Sequence, residues 1–167
     1  MTLLAIFGAS CTGKTSVAKE LLTRLNCAGR HCGDEVRALA KQRGLSIPEL
    51  TLDDHRRLDI ETAGWATPTA NGVTDGCYLD YVLAGLSNIV FVRLDCEASE
   101  RERRLSNRSG KPMLIIERDR DDAALIRDLY LHSAHPPDHV IDTTSLTILQ
   151  TSDRILELLA LRGDLDI

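Results

Sequence analysis

The stretch GASCTGKT, Gly8 to Thr15, is the part of the chain whose residue types and spacing most directly specify chemistry. It matches the pattern Gly-x-x-x-x-Gly-Lys-[Ser/Thr] in full. Glycines let a backbone curl until successive N–H groups point into one concavity, which suits an anion. A helix beginning at Lys14 adds its positive N-terminal end to the same concavity. On this reading Gly8, Ala9, Ser10, Cys11, Thr12 and Gly13 wrap the phosphates of ATP. Lys14 reaches the β- and γ-phosphates, and the Thr15 hydroxyl ligates Mg²⁺. Cys11 contributes backbone N–H, and its thiol becomes an oxidation or alkylation target if the helix end lowers its pKa.

A second concentration of charge lies later in the chain. From Arg101 to Arg120 there are seven Lys or Arg against three acids, inside a protein of net charge −5. Phosphoryl transfer needs in-line positioning and compensation of negative charge, beyond what Mg²⁺ and one Lys supply. A run of this kind is also what a solvated helix laced with i,i+4 ion pairs looks like. Trp65, alone of its type, is expected to pack half-buried or to stack on a base. The histidines of LHSAHPPDH suit a loop before a strand better than a metal site.

The elements that must position these residues can be read from periodicity. TLLAIF is a short apolar run ended by Gly8, as a buried strand requires. Val17, Leu21, Leu22 and Leu25 recur at helical spacing, which predicts a helix over Lys14 to Leu25. DEVRALAKQR predicts a second helix stopped by Gly44, and SIPE a capping box that opens another. DDHRRLDIETA continues helical. GVTDG reads as a strand, YLDYVLAGL as a helix, and NIVFVRLD as the clearest strand of the chain. The box Ser99 to Glu102 opens a helix that ends in the basic loop RSGKP. A charged helix (ERDRDDAALIRDLYLH), the strand DHVIDT and a helix closed by Gly163 follow. Strands alternating with helices predict a parallel sheet covered on both faces. With 167 residues and no repeat or linker, one domain is expected.

Bulk properties exclude several classes. Five cysteines without a C-x-x-C pair suit a reduced, cytoplasmic protein, and no run approaches the length of a membrane span. The acidic balance argues against nucleic acid as a partner. A guanine-reading Asn-Lys-x-Asp segment, usual in GTPases, is absent.

The segment GDEVRALAKQRGLSIPEL resembles the stretch after the second strand of the nucleoside monophosphate kinases, most closely the archaeal-type cytidylate kinases. SERERRLSNRSGK is similar to their lid, with Arg101, Arg104, Arg108, Gly110 and Lys111 at matching positions. The likeness implies an α/β/α phosphate-loop domain with five parallel strands. It implies a helical acceptor-binding insertion at about 33–65 and an arginine lid at about 101–120. Arg37, in Gly33-Asp34-x-x-Arg37, would hold an acceptor monophosphate. Asp75 and Gly76 would organise Mg²⁺ or the acceptor, and Arg104 and Arg108 would close over the transferring group. Asp142 and Thr143 would lie near the ATP base.

The chain departs from the family where an Arg commonly follows the third strand: here TDGCYL places Cys77, Tyr78 and Leu79. Either Arg56, Arg57 or Arg93 substitutes, or the acceptor carries no phosphate at that point. Arg118, Arg120 and Arg127 are additional cations without an assigned role. Transfer from ATP to a pyrimidine nucleoside monophosphate is therefore expected, with an alcohol acceptor and Asp34 as its base the alternative. A nucleotide-binding regulatory protein is a third reading. ATP and one small acceptor are the expected partners, in a monomer or homodimer.

Overall fold

A computed structural model describes residues 2–67, 71–109 and 115–163. Among these, five strands form one parallel sheet in the order β2-β3-β1-β4-β5. They are β1 (Leu3–Phe7), β2 (Ala28–His31), β3 (Gly72–Asp75), β4 (Ile89–Asp95) and β5 (His139–Asp142). Every residue of β1 is buried, because this strand is central and covered on both faces. Its period-two alternation divides the core. Leu4 and Ile6 face a layer built from Val17 and Leu21 of α1 (Lys14–Leu25) and Ile155 and Leu159 of α7 (Ile148–Arg162). Leu3, Ala5 and Phe7 face Leu83, Leu79 of α4 (Leu79–Val82) and Ala66 of α3 (Leu52–Ala66).

The strand order puts the carboxyl ends of β1 and β3 side by side, with Ile6 opposite Asp75 and His31 opposite Asp75 on the other flank. In open α/β sheets that edge is where ligands bind. The first connection leaves β1 through Gly8, at φ +134°, and a Cβ there would lie 2.3 Å from the Leu94 carbonyl oxygen. Only glycine lets the loop pass so close to β4.

Several predicted elements differ in detail. β2 has the sequence AGRH and was not located by an apolar run: it is an edge strand with Ala28 and Gly29 exposed. The SIPE box forms, with Glu49 bonded to both the Ser46 backbone and hydroxyl, yet it caps a single 3₁₀ turn, Ile47–Glu49. A second box, Thr51 with Asp54, opens α3. The expected helix YLDYVLAGL is helical only over α4 and then turns, with Gly85 at φ +88°. Ser99 lies inside α5 (Ala98–Ser109) and does not begin it. α2 (Cys32–Arg43), α5, α6 (Ile115–Leu129) and α7 otherwise follow the predicted helices. Gly110 and Lys111 of the expected lid lie outside the described residues.

Gly8→Ala should destabilise the protein by about 2 kcal/mol or more, since strain and a backbone clash act together. Urea unfolding is expected to give a lower midpoint with an unchanged slope.

Candidate active site

The phosphate-binding loop is held from outside by its own carbonyls. Lys14 Nζ and Thr12 Oγ1 donate to the Ala9 carbonyl at 2.6 and 3.1 Å. Arg101 Nε donates to the Ser10 carbonyl at 2.8 Å, and Thr143 Oγ1 to the Thr12 carbonyl at 2.9 Å. Cys11 takes a left-handed φ of +67° between them. With three carbonyls taken by side-chain donors, the loop's N–H groups are left for an anion.

Thr15 and Asp75 meet at the sheet edge. The Thr15 hydroxyl donates to Asp75 Oδ2 at 2.6 Å, and His31 Nδ1 lies 2.5 Å from Asp75 Oδ1. Asp75 is 1% exposed, so both partners hold a carboxylate that is almost wholly buried. A hydroxyl and a carboxylate are hard oxygen donors of the kind Mg²⁺ prefers, so these two residues fit that ion. His31 is a member of this group that sequence reasoning missed, because β2 itself carried no apolar signal.

Asp34 and Arg37 lie in the first turns of α2 and are paired with each other at 2.5 Å, with Lys19 Nζ 3.3 Å from Asp34. The Arg37 bond, with help from Lys19, holds the Asp34 carboxyl below its ordinary range. Arg37 thus reaches its own helix start, where Gly33 also lies against its guanidinium.

The cations expected in the lid divide into three roles. Arg101 is 7% exposed, and it also grips Asp119 of α6 through NH1 at 2.9 Å and NH2. It is a strut between α5, α6 and the loop. Arg104 donates to Glu100 at 2.8 Å and to the Thr143 carbonyl at 2.8 Å. Hydrogen bonds from Arg103 and Arg104 push the Glu100 carboxyl down to about 2. Arg104 and Arg108 line a cavity of about 660 Å³ with Gly13, Ser16, Thr143 and Thr147. Arg104 and Arg108 therefore stand toward the α1 side of the loop. At the Ser10 hydroxyl stands Arg118, whose Nε donates to Ser10 Oγ at 2.8 Å. Ser10 Oγ in turn donates to Asp122 Oδ2 at 3.3 Å. The i,i+4 spacing of Arg118 and Asp122 on one helix was the available sequence signal.

The other candidate arginines are engaged elsewhere. Arg56 pairs with Asp53 and Arg57 with Glu61 along α3, Arg93 with Asp95, and Arg127 with Asp128. Arg120 is exposed on α6. Asp142 accepts from the Thr144 backbone and hydroxyl, fixing the turn that carries Thr143. Gly76 N–H bonds to the Ile6 carbonyl beside the site. Trp65 packs against the core cluster around Phe7 and Leu79. Among the described residues no group of three His, Cys, Asp or Glu is arranged to hold a metal. None of their helices is long and apolar enough to cross a membrane. Between α6 and α3, Tyr130 donates to Asp59 at 2.5 Å, and burial pushes the Asp59 carboxyl up to about 6.

Fold, loop and sheet-edge carboxylate together define a phosphate-loop nucleotide-binding domain. A family model described as an AAA domain matches residues 4–126, and the chain belongs to that family. Its fold is that of the P-loop small-molecule kinases. Shikimate kinase from Acinetobacter baumannii, solved with shikimate, superposes with a TM-score of 0.67 at 16% identity, covering 97% of this chain and 94% of that one. A sugar kinase from Janibacter sp. gives 0.66 at 22% identity, covering 96% and 95%. A gluconokinase from Sinorhizobium meliloti gives 0.66 at 17%, covering 98% and 94%. No curated protein matches the sequence at a significant level.

Because the Asp59 carboxyl sits above its unfolded value, its contribution is full at low pH and is lost as pH rises from about 4 through about 6. Asp59→Asn should therefore gain stability relative to the native chain between pH 4 and pH 7 in thermal melts. Asp80, also raised to about 6 by burial, keeps part of the native slope in both proteins.

Proposed function

We propose that this protein transfers the γ-phosphoryl group of ATP to a small acceptor that presents a hydroxyl group. The observation that carries this reading is the convergence at the loop. A cavity of about 660 Å³ opens on one side, and on the other Asp75 at the sheet edge and Asp122 of α6 reach the loop residues Thr15 and Ser10. ATP would lie with its base toward Thr143 and Arg104 and its phosphates on the Gly8–Gly13 backbone and Lys14. Thr15 and Asp75 would hold Mg²⁺, which neutralises charge on the phosphates. Closure of the lid, about 101–120, and the helical segment at about 33–65 would exclude water and so protect ATP from hydrolysis. The whole is read as one kinase domain, acting in the cytoplasm.

The hydroxyl is preferred over a phosphate because the acceptor side carries Asp59, Asp75 and Asp122, while Arg37 is neutralised by Asp34. The names of the shikimate kinase, the sugar kinase and the gluconokinase agree with that class. A pyrimidine nucleoside monophosphate is the second reading. It is favoured by Arg37 itself, which a short rotation off Asp34 would offer to a phosphate in the bidentate manner an arginine suits.

Coupled detection of ADP should show turnover rising at least about tenfold above the acceptor-free rate with some member of a panel of polyols, sugars and hydroxy acids. Lys14→Ala should lower that rate by about 10² or more with folding intact, and chelation of Mg²⁺ should abolish it. ATP turnover indifferent to every acceptor would overturn the reading.

A further inference from the structure

We propose that Asp122 of α6 is the general base that takes the acceptor's hydroxyl proton. The inference rests on the hydroxyl-acceptor reading above and names the group within it that does the proton transfer.

Several carboxylates lie near the loop: Asp119 is bound by Arg101, Asp95 by Arg93 and Asp142 by Thr144, Glu97 is exposed, and two more candidates are also committed. Asp75 has one oxygen on Thr15 and the other against His31. Asp34 is bound by Arg37 and Lys19 at the start of α2, and those cations lower its basicity. Asp122 differs in both respects. Its Oδ2 accepts only the long 3.3 Å bond from Ser10, and among the described residues its Oδ1 accepts none. It therefore has an oxygen available for a proton.

Its position fits the reaction path. Lys14 bridges the loop to the Ala9 carbonyl, which marks the end of the loop where a γ-phosphate sits, and Ser10 is the next residue. Arg118 and Asp122 both bond Ser10 Oγ, one donating and one accepting. A cation for the transferring group and a carboxylate for the incoming hydroxyl thus stand side by side on one helix. The groups facing Asp122 are Arg118 and Asp119 on α6 and Lys14 on α1. Tyr78, ahead of α4, and Cys77, whose Sγ lies 3.9 Å from Ser10 Oγ, complete the surroundings. Burial raises the Asp122 carboxyl above its ordinary value, against the opposing pull of Arg118, Ser10 and Lys14. A carboxylate so raised is a better proton acceptor near neutral pH than an ordinary one.

The step balances without a further reactant. The acceptor O–H bond breaks and its proton moves to Asp122 Oδ1. The acceptor oxygen forms a bond to the γ-phosphorus. The bond from that phosphorus to the β,γ-bridging oxygen breaks, and ADP leaves with the electron pair.

The test uses the full chain with the acceptor that best stimulates ADP release. Asp122→Asn should lower kcat by about 10²–10³ with the KM for ATP within threefold of native. Asp121→Asn, one residue earlier on α6, should leave kcat within about twofold, since that carboxylate touches nothing the reaction uses. The native kcat should fall tenfold per pH unit on an acid limb set above the ordinary carboxylate range, and Asp122→Asn should lack that limb. A Asp122→Asn enzyme retaining kcat within threefold, or retaining the limb, overturns the assignment while the kinase reading stands. A monophosphate as the sole acceptor overturns it too, since such a nucleophile is already ionised. Failure of every acceptor overturns both.

Discussion

Everything at this site depends on how the carbonyls of one loop are disposed. Ala9, Ser10 and Thr12 each have a carbonyl oxygen held by side-chain donors, from Lys14 and Thr12, from Arg101, and from Thr143 respectively. Lys14 and Thr12 belong to the loop itself, while the other two donors come from α5 and from the turn after β5, so the loop is clamped by two parts of the chain far from it in sequence. A backbone cannot turn its N–H groups inward unless its carbonyls find partners elsewhere. The clamp therefore determines both the shape of the phosphate site and the place where α5 docks.

The docking of α5 in turn sorts the arginines. Arg101, being the clamp, is buried against Asp119 and is unavailable to a substrate. Arg104 is drawn to Thr143 and Glu100, so it lines the cavity on the α1 side of the loop. The bond from Arg101 to Asp119 fixes α6 against the loop, and that contact brings Arg118 and Asp122 to Ser10. One guanidinium thus positions two helices, and the functional roles of its neighbours follow from geometry more than from their sequence spacing.

This explains which parts were legible in the sequence. The loop was readable because its chemistry is local: glycines, a lysine and a threonine at fixed spacing between a strand and a helix. Thr15 was expected at Mg²⁺ from the loop pattern and Asp75 from the resemblance at the strand end GVTDG, while their direct bond emerged only in the fold. β2 was not, since an edge strand half open to solvent needs no apolar run, and His31 was lost with it. The arginine-rich segment signalled a cationic function, yet which arginine clamps and which lines the cavity depends on contacts across ninety or more residues, such as Arg101 to Ser10. Asp122 was hidden for the same reason: in sequence it is one acid in a charged helix, and only the fold sets it against the loop.

The most direct test of the account is the fate of the γ-phosphoryl group, followed by ³¹P NMR with ATP, Mg²⁺ and a panel of hydroxylated acceptors beside nucleoside monophosphates. The account predicts a new phosphomonoester singlet on a hydroxylated acceptor, with matching growth of ADP. A new diphosphate doublet on a nucleoside monophosphate, with no monoester formed, would contradict the acceptor assignment; inorganic phosphate alone would contradict the kinase reading altogether.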